Sequence, residues 1–234
     1  MRMPLLDVQE LVVRLGKAEI LRGVTLSVDR GELVGLIGAN GAGKTTTLRA
    51  ISGMIPRRGL HLTLDGQPIP GEAYRVARMG ISHVPEGRGL LTSLTVRDNL
   101  QLACMAVGKP FSRSVVTDLL TAFPQLEGLI HRYPDTLSGG ERQLVAIARG
   151  LVVDPRVLMV DELSFGLAPK AVSQVAEALV AACRLRSTAL LLVDQNVSTV
   201  ASTCRRIYVL SAGRTSQPDR SAMLEESARE VYFG

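Results

Sequence analysis

A glycine-rich motif near the amino terminus constrains the fold of this chain more than any other sequence feature. Residues 38–45 have the sequence GANGAGKT, which matches the pattern G-x-x-x-x-G-K-[ST]. The apolar run 33–37 precedes the motif, and residues 46–51 begin a helical pattern, which is the strand–loop–helix setting that such a loop requires. A strand, this loop and a helix in succession predict an α/β domain built on a parallel sheet.

The motif also predicts a site for a phosphorylated ligand. Glycines allow backbone conformations closed to other residues, so that successive N–H groups converge on phosphate oxygens at a helix N-terminus. Lys44 brings a full positive charge to β- and γ-phosphates, and Thr45 offers its hydroxyl to Mg²⁺. The alternative is a glycine-rich turn without a ligand. The predicted binding residues are Gly38, Ala39, Asn40, Gly41, Ala42, Gly43, Lys44, Thr45 and Thr46.

A second apolar run, Val157 to Val160, ends in the acidic pair Asp161 and Glu162. Ligands of doubly wound sheets lie outside the carboxyl ends of the strands. We therefore expect Asp161 to hold Mg²⁺, directly or through water, and Glu162 to orient or deprotonate an attacking water. The alternative is an acidic pair that merely ends a strand.

The rest of the chain fits one domain over residues 1–234. Alternating residues near the amino terminus, such as 24–28, predict antiparallel strands, whereas continuous apolar runs such as 189–193 predict parallel strands buried on both faces. Helical spacing follows Gly140 and Pro169. We assign residues 1–86 and 137–234 to a core with an antiparallel β subdomain. Residues 87–136, with helices expected after Thr95 and Ser112, form a helical insertion.

A second anion-binding turn is predicted at LSGGE, residues 137–141. Ser138, Gly139, Gly140 and Glu141 stand at the start of a predicted helix, whose first amides suit an anion. An ordinary helix cap is the alternative. However, the loop around Lys44 already has enough donors for a triphosphate, so the extra turn suggests a nucleotide surface shared with another subunit.

Composition excludes several classes of protein. The formal net charge is only +5, aromatic residues make up 3% and there is no Trp, so a nucleic-acid surface is not expected. The apolar runs fall far short of the roughly 20 residues that cross a bilayer. The three cysteines are widely spaced without a CxxC pair, which favours a reducing compartment.

Taken together, GANGAGKTT, LSGGE and VLMVDE in this order resemble the ATP-binding subunits of ABC transporters. The resemblance covers nearly the whole chain. Four further segments are similar to the branch that imports branched-chain amino acids: VPEGR (84–88), SFGLAP (164–169), VDQN (193–196) and Tyr-x-Gly (232–234). The implied fold is α/β, with a P-loop NTPase core (a RecA-like parallel sheet), an N-terminal antiparallel β subdomain and a helical insertion.

The resemblance also implies an assembly and an activity. ATP and Mg²⁺ would be bound, and ATP hydrolysis would drive import of branched-chain or related amino acids. The phosphate loop of one subunit and the LSGGE turn of a second ATPase subunit, a paralogue or another copy, would sandwich ATP in a head-to-tail dimer. Two membrane permease subunits would be direct partners, and an extracytoplasmic solute-binding protein an indirect one. The chain would lie at the cytoplasmic face of the cell (inner) membrane. Nucleic acid is not expected as a partner.

Four positions depart from the usual family pattern. Leu15 stands where an aromatic residue contacts adenine, and Glu86 stands where Gln reaches Mg²⁺. Gln195 replaces the switch His; its amide can bond a γ-phosphate but does not titrate. We therefore expect the rate of ATP turnover to depend little on the titration of a group with a pKa of about 6.5 at this position. Leu163 replaces a Pro that would stiffen the turn after Glu162.

Other functions stay open at this point. Leu15, Leu163 and Gln195 suggest a weakly hydrolysing regulatory subunit, although Lys44, Asp161 and Glu162 argue against it. Importers of urea or similar solutes could share these motifs. ABC-type ATPases that act on DNA or ribosomes carry long insertions, zinc modules or a second ATPase domain, for which the chain has no room.

Overall fold

In the computed structural model, which describes residues 3–59 and 61–217, strands and helices alternate through most of the chain. The strands are β1 (Leu6–Leu15), β2 (Ala18–Val28), β3 (Leu33–Ile37), β4 (His61–Leu64), β5 (Gln67–Pro68), β6 (Ile81–Val84), β7 (Val157–Asp161), β8 (Ala189–Val193), β9 (Arg206–Ser211) and β10 (Arg214–Ser216). The helices are α1 (Lys44–Ile51), α2 (Ala73–Met79), α3 (Val96–Ala106), α4 (Arg113–Ala122), α5 (Gly139–Leu151), α6 (Pro169–Arg186) and α7 (Val197–Thr203).

The strands form two sheets. One is antiparallel, in the order β2-β1-β4-β5, and the other has the order β10-β9-β3-β8-β7-β6. In the larger sheet every neighbouring pair is parallel except β9 and β10. The predicted parallel strands at residues 33–37, 157–160 and 189–193 are confirmed, as are the antiparallel strands of the first 30 residues.

Continuous apolar runs form the central strands because both faces of the larger sheet are covered. Alternate residues of β8 point to opposite sides: Leu190 and Leu192 pack with the helices α3 to α7, whereas Leu191 and Val193 pack with α1 and the antiparallel sheet. All five residues of β8 are buried. A parallel strand in this position has no solvated face, and its sequence therefore does not alternate.

The two helices of residues 95–123 begin after Thr95 and Ser112, as the sequence predicts. Thr95 accepts a hydrogen bond from the amide of Asp98, whose side chain accepts one from the amide of Thr95, which closes a capping box with Asp in place of Glu. Ser112 caps α4 by accepting from the amide of Val115. Both predicted helices are confirmed. The Tyr-x-Gly segment at 232–234 lies outside the described residues.

Strand register brings the predicted site segments to one edge of the larger sheet. Leu36 of β3 pairs with Val193 of β8, and Val193 pairs with Asp161 of β7. The loops that follow these three strands therefore leave the sheet side by side. The glycine-rich motif follows β3, Gln195 lies in the loop after β8, and Glu162 directly follows β7.

Candidate active site

The glycine-rich loop is shaped by positions that a side chain could not occupy. Gly43 has φ +108°, a conformation that L-residues rarely adopt, and a Cβ on it would lie 2.6 Å from Leu21. A Cβ on Gly38 would lie 2.3 Å from the carbonyl oxygen of Leu210. The loop thus passes tightly between β2 and β9 before α1 begins at Lys44.

Lys44 points back into this loop. Its Nζ donates to the carbonyl oxygens of Gly38 (2.8 Å) and Ala39 (3.3 Å), and lies 3.7 Å from Oε1 of Glu162. The side chain is 5% exposed. The carbonyl oxygens of the loop hold the buried ammonium in place. It is therefore preorganised to bind an anion without a large conformational cost.

Asp161 ends β7 beneath the loop and fits a hard cation. The residue is 1% exposed, and neither carboxylate oxygen has a hydrogen-bond partner within the part of the chain that the structure describes. Burial raises the pKa of Asp161, and the nearby Thr45 hydroxyl and the charges of Arg49 and Lys44 oppose that rise. Buried carboxylate oxygens without donors, beside a hydroxyl, form the oxygen set that Mg²⁺ prefers. Asp161 and Thr45 therefore fit the metal that the sequence predicts.

Glu162 occupies a strained turn next to Asp161. Its φ is +53°, unusual for a residue with a side chain, and its amide donates to the carbonyl of Val193 at 2.7 Å. Burial raises the pKa of the Glu162 carboxyl; the charge of Lys44 opposes this, and the carboxylates of Asp194, Asp161 and Glu86 add to it. A carboxyl with a raised pKa is better matched to accept a proton from water.

These residues line one pocket. Its volume is about 490 Å³, enough for the phosphates and sugar of a nucleotide. The lining residues are Leu15, Ile20, Asn40, Gly41, Gly43, Lys44, Thr45, Thr46, Glu86, Glu162, Phe165 and Gln195. The structure thus brings the glycine-rich loop together with three of the predicted departures, Leu15, Glu86 and Gln195, although they are far apart in sequence. Gly38, Ala39 and Ala42 belong to the same loop, and Asp161 lies beneath it.

Arg88 holds the loop that carries Glu86. Its Nε donates to the side-chain oxygen of Gln143 in α5 at 3.0 Å, and its Nη2 donates to the carbonyl of Phe165 at 3.4 Å. Arg88 itself has φ +70°. One side chain therefore joins the Glu86 loop, the helix that begins at LSGGE, and the loop that follows Glu162.

The LSGGE turn is built as a helix cap and lines a different groove. Ser138 accepts from the amide of Glu141 at 3.3 Å, and the Glu141 carboxylate accepts from the amide of Ser138 at 2.7 Å. These bonds lower the pKa of Glu141. Ser138, Gly139, Gly140 and Glu141 line a groove of about 860 Å³ formed with α6, whose described lining shares no residue with the Lys44 pocket.

Three residues of the site were not predicted from the sequence. Ile20 and Phe165 line the pocket, and Asp194, completely buried, bonds the loop after Glu162. Phe165 lies in the SFGLAP segment, and its side chain is 53% exposed. The segment alone does not indicate which residues Phe165 contacts. A single Asp after an apolar strand carries no distinguishing pattern.

This fold and this pocket define a nucleotide-binding protein with a phosphate loop. Comparison with known proteins identifies its kind, because the family model for ABC transporters matches residues 21–164. The chain belongs to the ABC transporter family and is an ATPase coupled to transport. The α/β fold of a P-loop NTPase predicted from the sequence is confirmed.

Relatives of known function extend over nearly the whole chain. The high-affinity branched-chain amino acid transport ATP-binding protein BraG of Pseudomonas aeruginosa is 35% identical, over 94% of this chain and 95% of BraG. The lipopolysaccharide export system ATP-binding protein LptB of Haemophilus influenzae is 31% identical, over 99% of this chain and 98% of LptB. A solved structure of an ATP-binding subunit of an ABC transporter has a TM-score of 0.79 and 29% identity, with 97% and 99% coverage.

Membership of the family carries general properties. ATP-binding domains of this family bind ATP with Mg²⁺, and these subunits work with membrane permeases as peripheral proteins at the cytoplasmic face of the membrane. Among the helices of the described residues, none is both long and apolar enough to span a bilayer.

Proposed function

We propose that this chain is the ATP-hydrolysing subunit of an importer of branched-chain or related amino acids. The observation that carries the hydrolytic part is the single pocket in which Lys44, Thr45, Glu86, Glu162 and Gln195 meet above the buried Asp161. The import part is supported by the 35% identity to BraG. Similarity to LptB, whose name describes export, means that this second part needs its own test.

The reaction is in-line attack of water on the γ-phosphate. Asn40, Gly41 and Gly43 with the rest of the loop hold the phosphates, and Lys44 neutralises the charge that develops on the γ-phosphate oxygens. Glu162 orients the attacking water and accepts its proton. Gln195 donates from its amide to the γ-phosphate.

The proposed Mg²⁺ site lies next to the residues that bind the phosphates. Thr45, Asp161 and Glu86 would hold Mg²⁺, which when bound supplies positive charge to the phosphate oxygens. Leu15 and Ile20 give an apolar surface for the adenine ring. Because Leu15 has no aromatic face, the site gives up a stacking contribution of about 1–3 kcal/mol.

A second ATPase subunit completes the site. The LSGGE turn lies outside the pocket of its own chain, so the amides of Gly139 and Gly140 serve a nucleotide held by another subunit. The resulting dimer is head-to-tail, with a paralogue or with a second copy. Residues 87–136 form the helical subdomain that presents this turn, and the described parts of residues 1–86 and 137–234 form the nucleotide-binding core.

Permease subunits dock on a groove of about 250 Å³ between α2, α3 and α5. Met54, 57% exposed, stands at the groove, and Ala103, Ala106 and Val107 line its α3 side. Small residues and an exposed methionine form an adaptable apolar surface for a protein partner. This contact keeps the chain at the cytoplasmic face of the cell membrane, while an extracytoplasmic solute-binding protein delivers the cargo.

ATP turnover per subunit tests the hydrolytic proposal. We expect specific activity of the purified chain to rise with protein concentration, as a dimer requires, and to vanish in Glu162→Gln, which keeps the shape but loses the proton acceptor. Activity in Glu162→Gln equal to the wild type contradicts the assignment. Activity absent from the purified chain at all concentrations indicates that another ATPase subunit or a permease is needed. If turnover of the complete assembly, with permeases and any paralogous ATPase subunit, is unchanged by Glu162→Gln in this chain, the chain is a regulatory subunit instead.

Uptake by intact cells tests the cargo. In cells whose own copy of this chain is replaced by Glu162→Gln, we expect uptake of labelled leucine at low concentration to be lost. Uptake of labelled urea measures the alternative importer. Loss of urea uptake with normal leucine uptake, or loss of neither, overturns the proposed cargo.

A further inference from the structure

The two loops that carry Glu162 and Gln195 meet at one buried carboxylate. Asp194, the residue after β8, is completely buried. Its Oδ2 accepts from the amide of Ser164 at 2.8 Å, and its Oδ1 accepts from the Ser164 hydroxyl at 2.7 Å and from the amide of Asn196 at 2.9 Å. Ser164 lies two residues after Glu162, and Asn196 directly follows Gln195.

A buried charge of this kind has to be accounted for. Burying a carboxylate is costly unless hydrogen bonds stabilise the charged form, and the three donors do so. All three donors come from the two active-site loops rather than from the body of the domain. The amide of Asp194 itself donates to Leu36 of β3 at 3.3 Å, which fixes the carboxylate relative to the strand that leads into the phosphate loop.

Glu162 needs such a constraint. Its left-handed backbone conformation is strained and persists only when the surrounding structure enforces it. On its amino side, the bond from its amide to Val193 holds it to β8. On its carboxyl side, Leu163 is completely buried and Ser164 is bonded twice to Asp194. The turn after Glu162 is therefore rigid without a proline.

We propose that Asp194 is a positioning residue for hydrolysis, which fixes Glu162 and Gln195 relative to one another through Ser164 and Asn196. The proposal rests on the roles proposed above for Glu162 and Gln195. Asp194 does not line the Lys44 pocket and acts through its neighbours. Its loss therefore disturbs the alignment of the water and the γ-phosphate, but not the grip of the phosphate loop on ATP.

The test uses Asp194→Asn, which keeps the size of the side chain but turns one acceptor into an N–H₂ group. The full-length chain is assayed in the assembly in which the wild type hydrolyses ATP. We expect kcat to fall about 10- to 100-fold, as for other residues that orient a reacting group, with KM for ATP unchanged. Hydrogen exchange in the nucleotide-free chain should be faster at the amides of Ser164 and Asn196, and unchanged at Thr47 in α1.

Thr188→Val is the matched control. Thr188 lies at the other end of β8, is equally buried, and donates one hydrogen bond to the carbonyl of Pro155 at 3.2 Å. Its removal costs stability without reaching the pocket, so kcat and KM should stay at the wild-type values. If Asp194→Asn does not fold, Ser164→Ala removes the hydroxyl bond alone and should lower kcat in the same way, to a smaller extent.

The possible outcomes separate the two proposals. Wild-type kcat in Asp194→Asn, a raised KM with normal kcat, or an equal loss of kcat in Thr188→Val overturns the positioning role. Glu162→Gln is measured in parallel: if it hydrolyses ATP normally, the role of Glu162 is wrong and the positioning proposal fails with it. If Glu162→Gln is inactive while Asp194→Asn is normal, only the positioning proposal fails.

Discussion

The ammonium of Lys44 lies between the backbone of the glycine-rich loop and the carboxylate of Glu162. It bonds the carbonyl of Gly38 and lies 3.7 Å from Glu162. In Lys44→Ala we expect the affinity for ATP to fall about 10- to 100-fold, because a hydrogen bond to a charged group contributes about 1.5–3 kcal/mol. Equilibrium dialysis with labelled ATP measures it. Lys109→Ala, whose ammonium bonds the carbonyl of Val153 far from the loop, is the control, and equal affinities in the two variants would contradict the role of Lys44.

His83 makes folding stability depend on pH. Burial, with a smaller contribution from the charge of Arg49, lowers its pKa from 6.5 to about 4, and its buried Nε2 has no partner among the described residues. The folded state thus favours neutral His83, so its contribution to stability is complete above about pH 6.5 and is lost as the pH falls toward 4. Between pH 7 and pH 5 we expect the free energy of unfolding to drop by about 2 kcal/mol from this group.

Urea unfolding at the two pH values measures this drop. His83→Asn keeps a polar atom near Ser52, which His83 contacts at 3.2 Å, but cannot be protonated. Its unfolding free energy should fall by about 2 kcal/mol less than that of the wild type over the same pH range. His131→Asn, at an exposed position, should keep the full drop, and an undiminished drop in His83→Asn would show that another group is responsible.

How far the sequence predicts each site residue depends on whether its role leaves a local pattern. The residues from Gly38 to Thr46 and Asp161 with Glu162 stand next to strand ends, so spacing along the chain is enough to find them. Leu15, Glu86 and Gln195 were found through the family resemblance, since isolated residues in loops have no periodicity. Asp194 was missed because its role exists only after folding, when the loop of Ser164 comes within hydrogen-bond distance.

At the scale of elements, burial decides which strands the sequence reveals. β7 and β8 are buried throughout and form unbroken apolar runs. β6 and β9 were not predicted. β6 contains Ser82 and His83, which are only partly buried near the groove on α3, and β9 pairs on one side with the antiparallel edge strand β10 and carries polar ends. Strands near the border of a sheet lose the continuous apolar pattern that a central strand needs.

Helix α5 illustrates an element in which packing outweighs helix propensity. Gly150 lies in its last turn, where Ala would ordinarily stabilise the helix by about 1 kcal/mol. However, a Cβ on Gly150 would lie 2.8 Å from both Leu158 and Val84, on β7 and β6. Overpacking of this kind costs about 1–3 kcal/mol, which offsets or exceeds that gain, so we expect Gly150→Ala to lower the free energy of unfolding measured in urea by up to about 2 kcal/mol.

Gly128→Ala is the matched control for this prediction. A Cβ on Gly128 meets no heavy atom of the described residues within 4 Å, so the free energy of unfolding should change by no more than about 0.5 kcal/mol. A stabilised Gly150→Ala variant would mean that α5 can move away from the sheet. Since α5 begins at LSGGE, the same movement would change how that turn is presented.

At the scale of the whole molecule, the chain carries two grooves whose described linings share no residue. Lys44 lines one pocket, and Ser138 to Glu141 line another. Within one chain the two are linked through Arg88, which bonds Gln143 of α5 and the backbone of Phe165 beside Glu162. We therefore expect a nucleotide bound at Lys44 to influence the LSGGE turn of its own chain, which in the proposed head-to-tail dimer would serve the other site.

Gly140→Asp separates binding from turnover. A Cβ at this position has an ordinary contact of 3.4 Å with Ala171, so the fold should accept the substitution, while its carboxylate repels phosphate. We expect the affinity of the isolated chain for ATP to stay at the wild-type value, in contrast to Lys44→Ala, and turnover to be lost. Reduced ATP affinity of the isolated chain would place the LSGGE turn in its own pocket.

Mixing the two inactive variants then identifies the partner. If two copies form the dimer, a Lys44→Ala chain supplies an intact LSGGE turn to the intact phosphate loop of a Gly140→Asp chain, and the mixture regains the activity of one site. If the partner is a paralogue, mixing the two variants restores nothing. Turnover then appears only when this chain is combined with the paralogous ATPase subunit. Activity of Gly140→Asp alone would contradict a sandwich of either kind, because every site in such an assembly needs an LSGGE turn that tolerates phosphate.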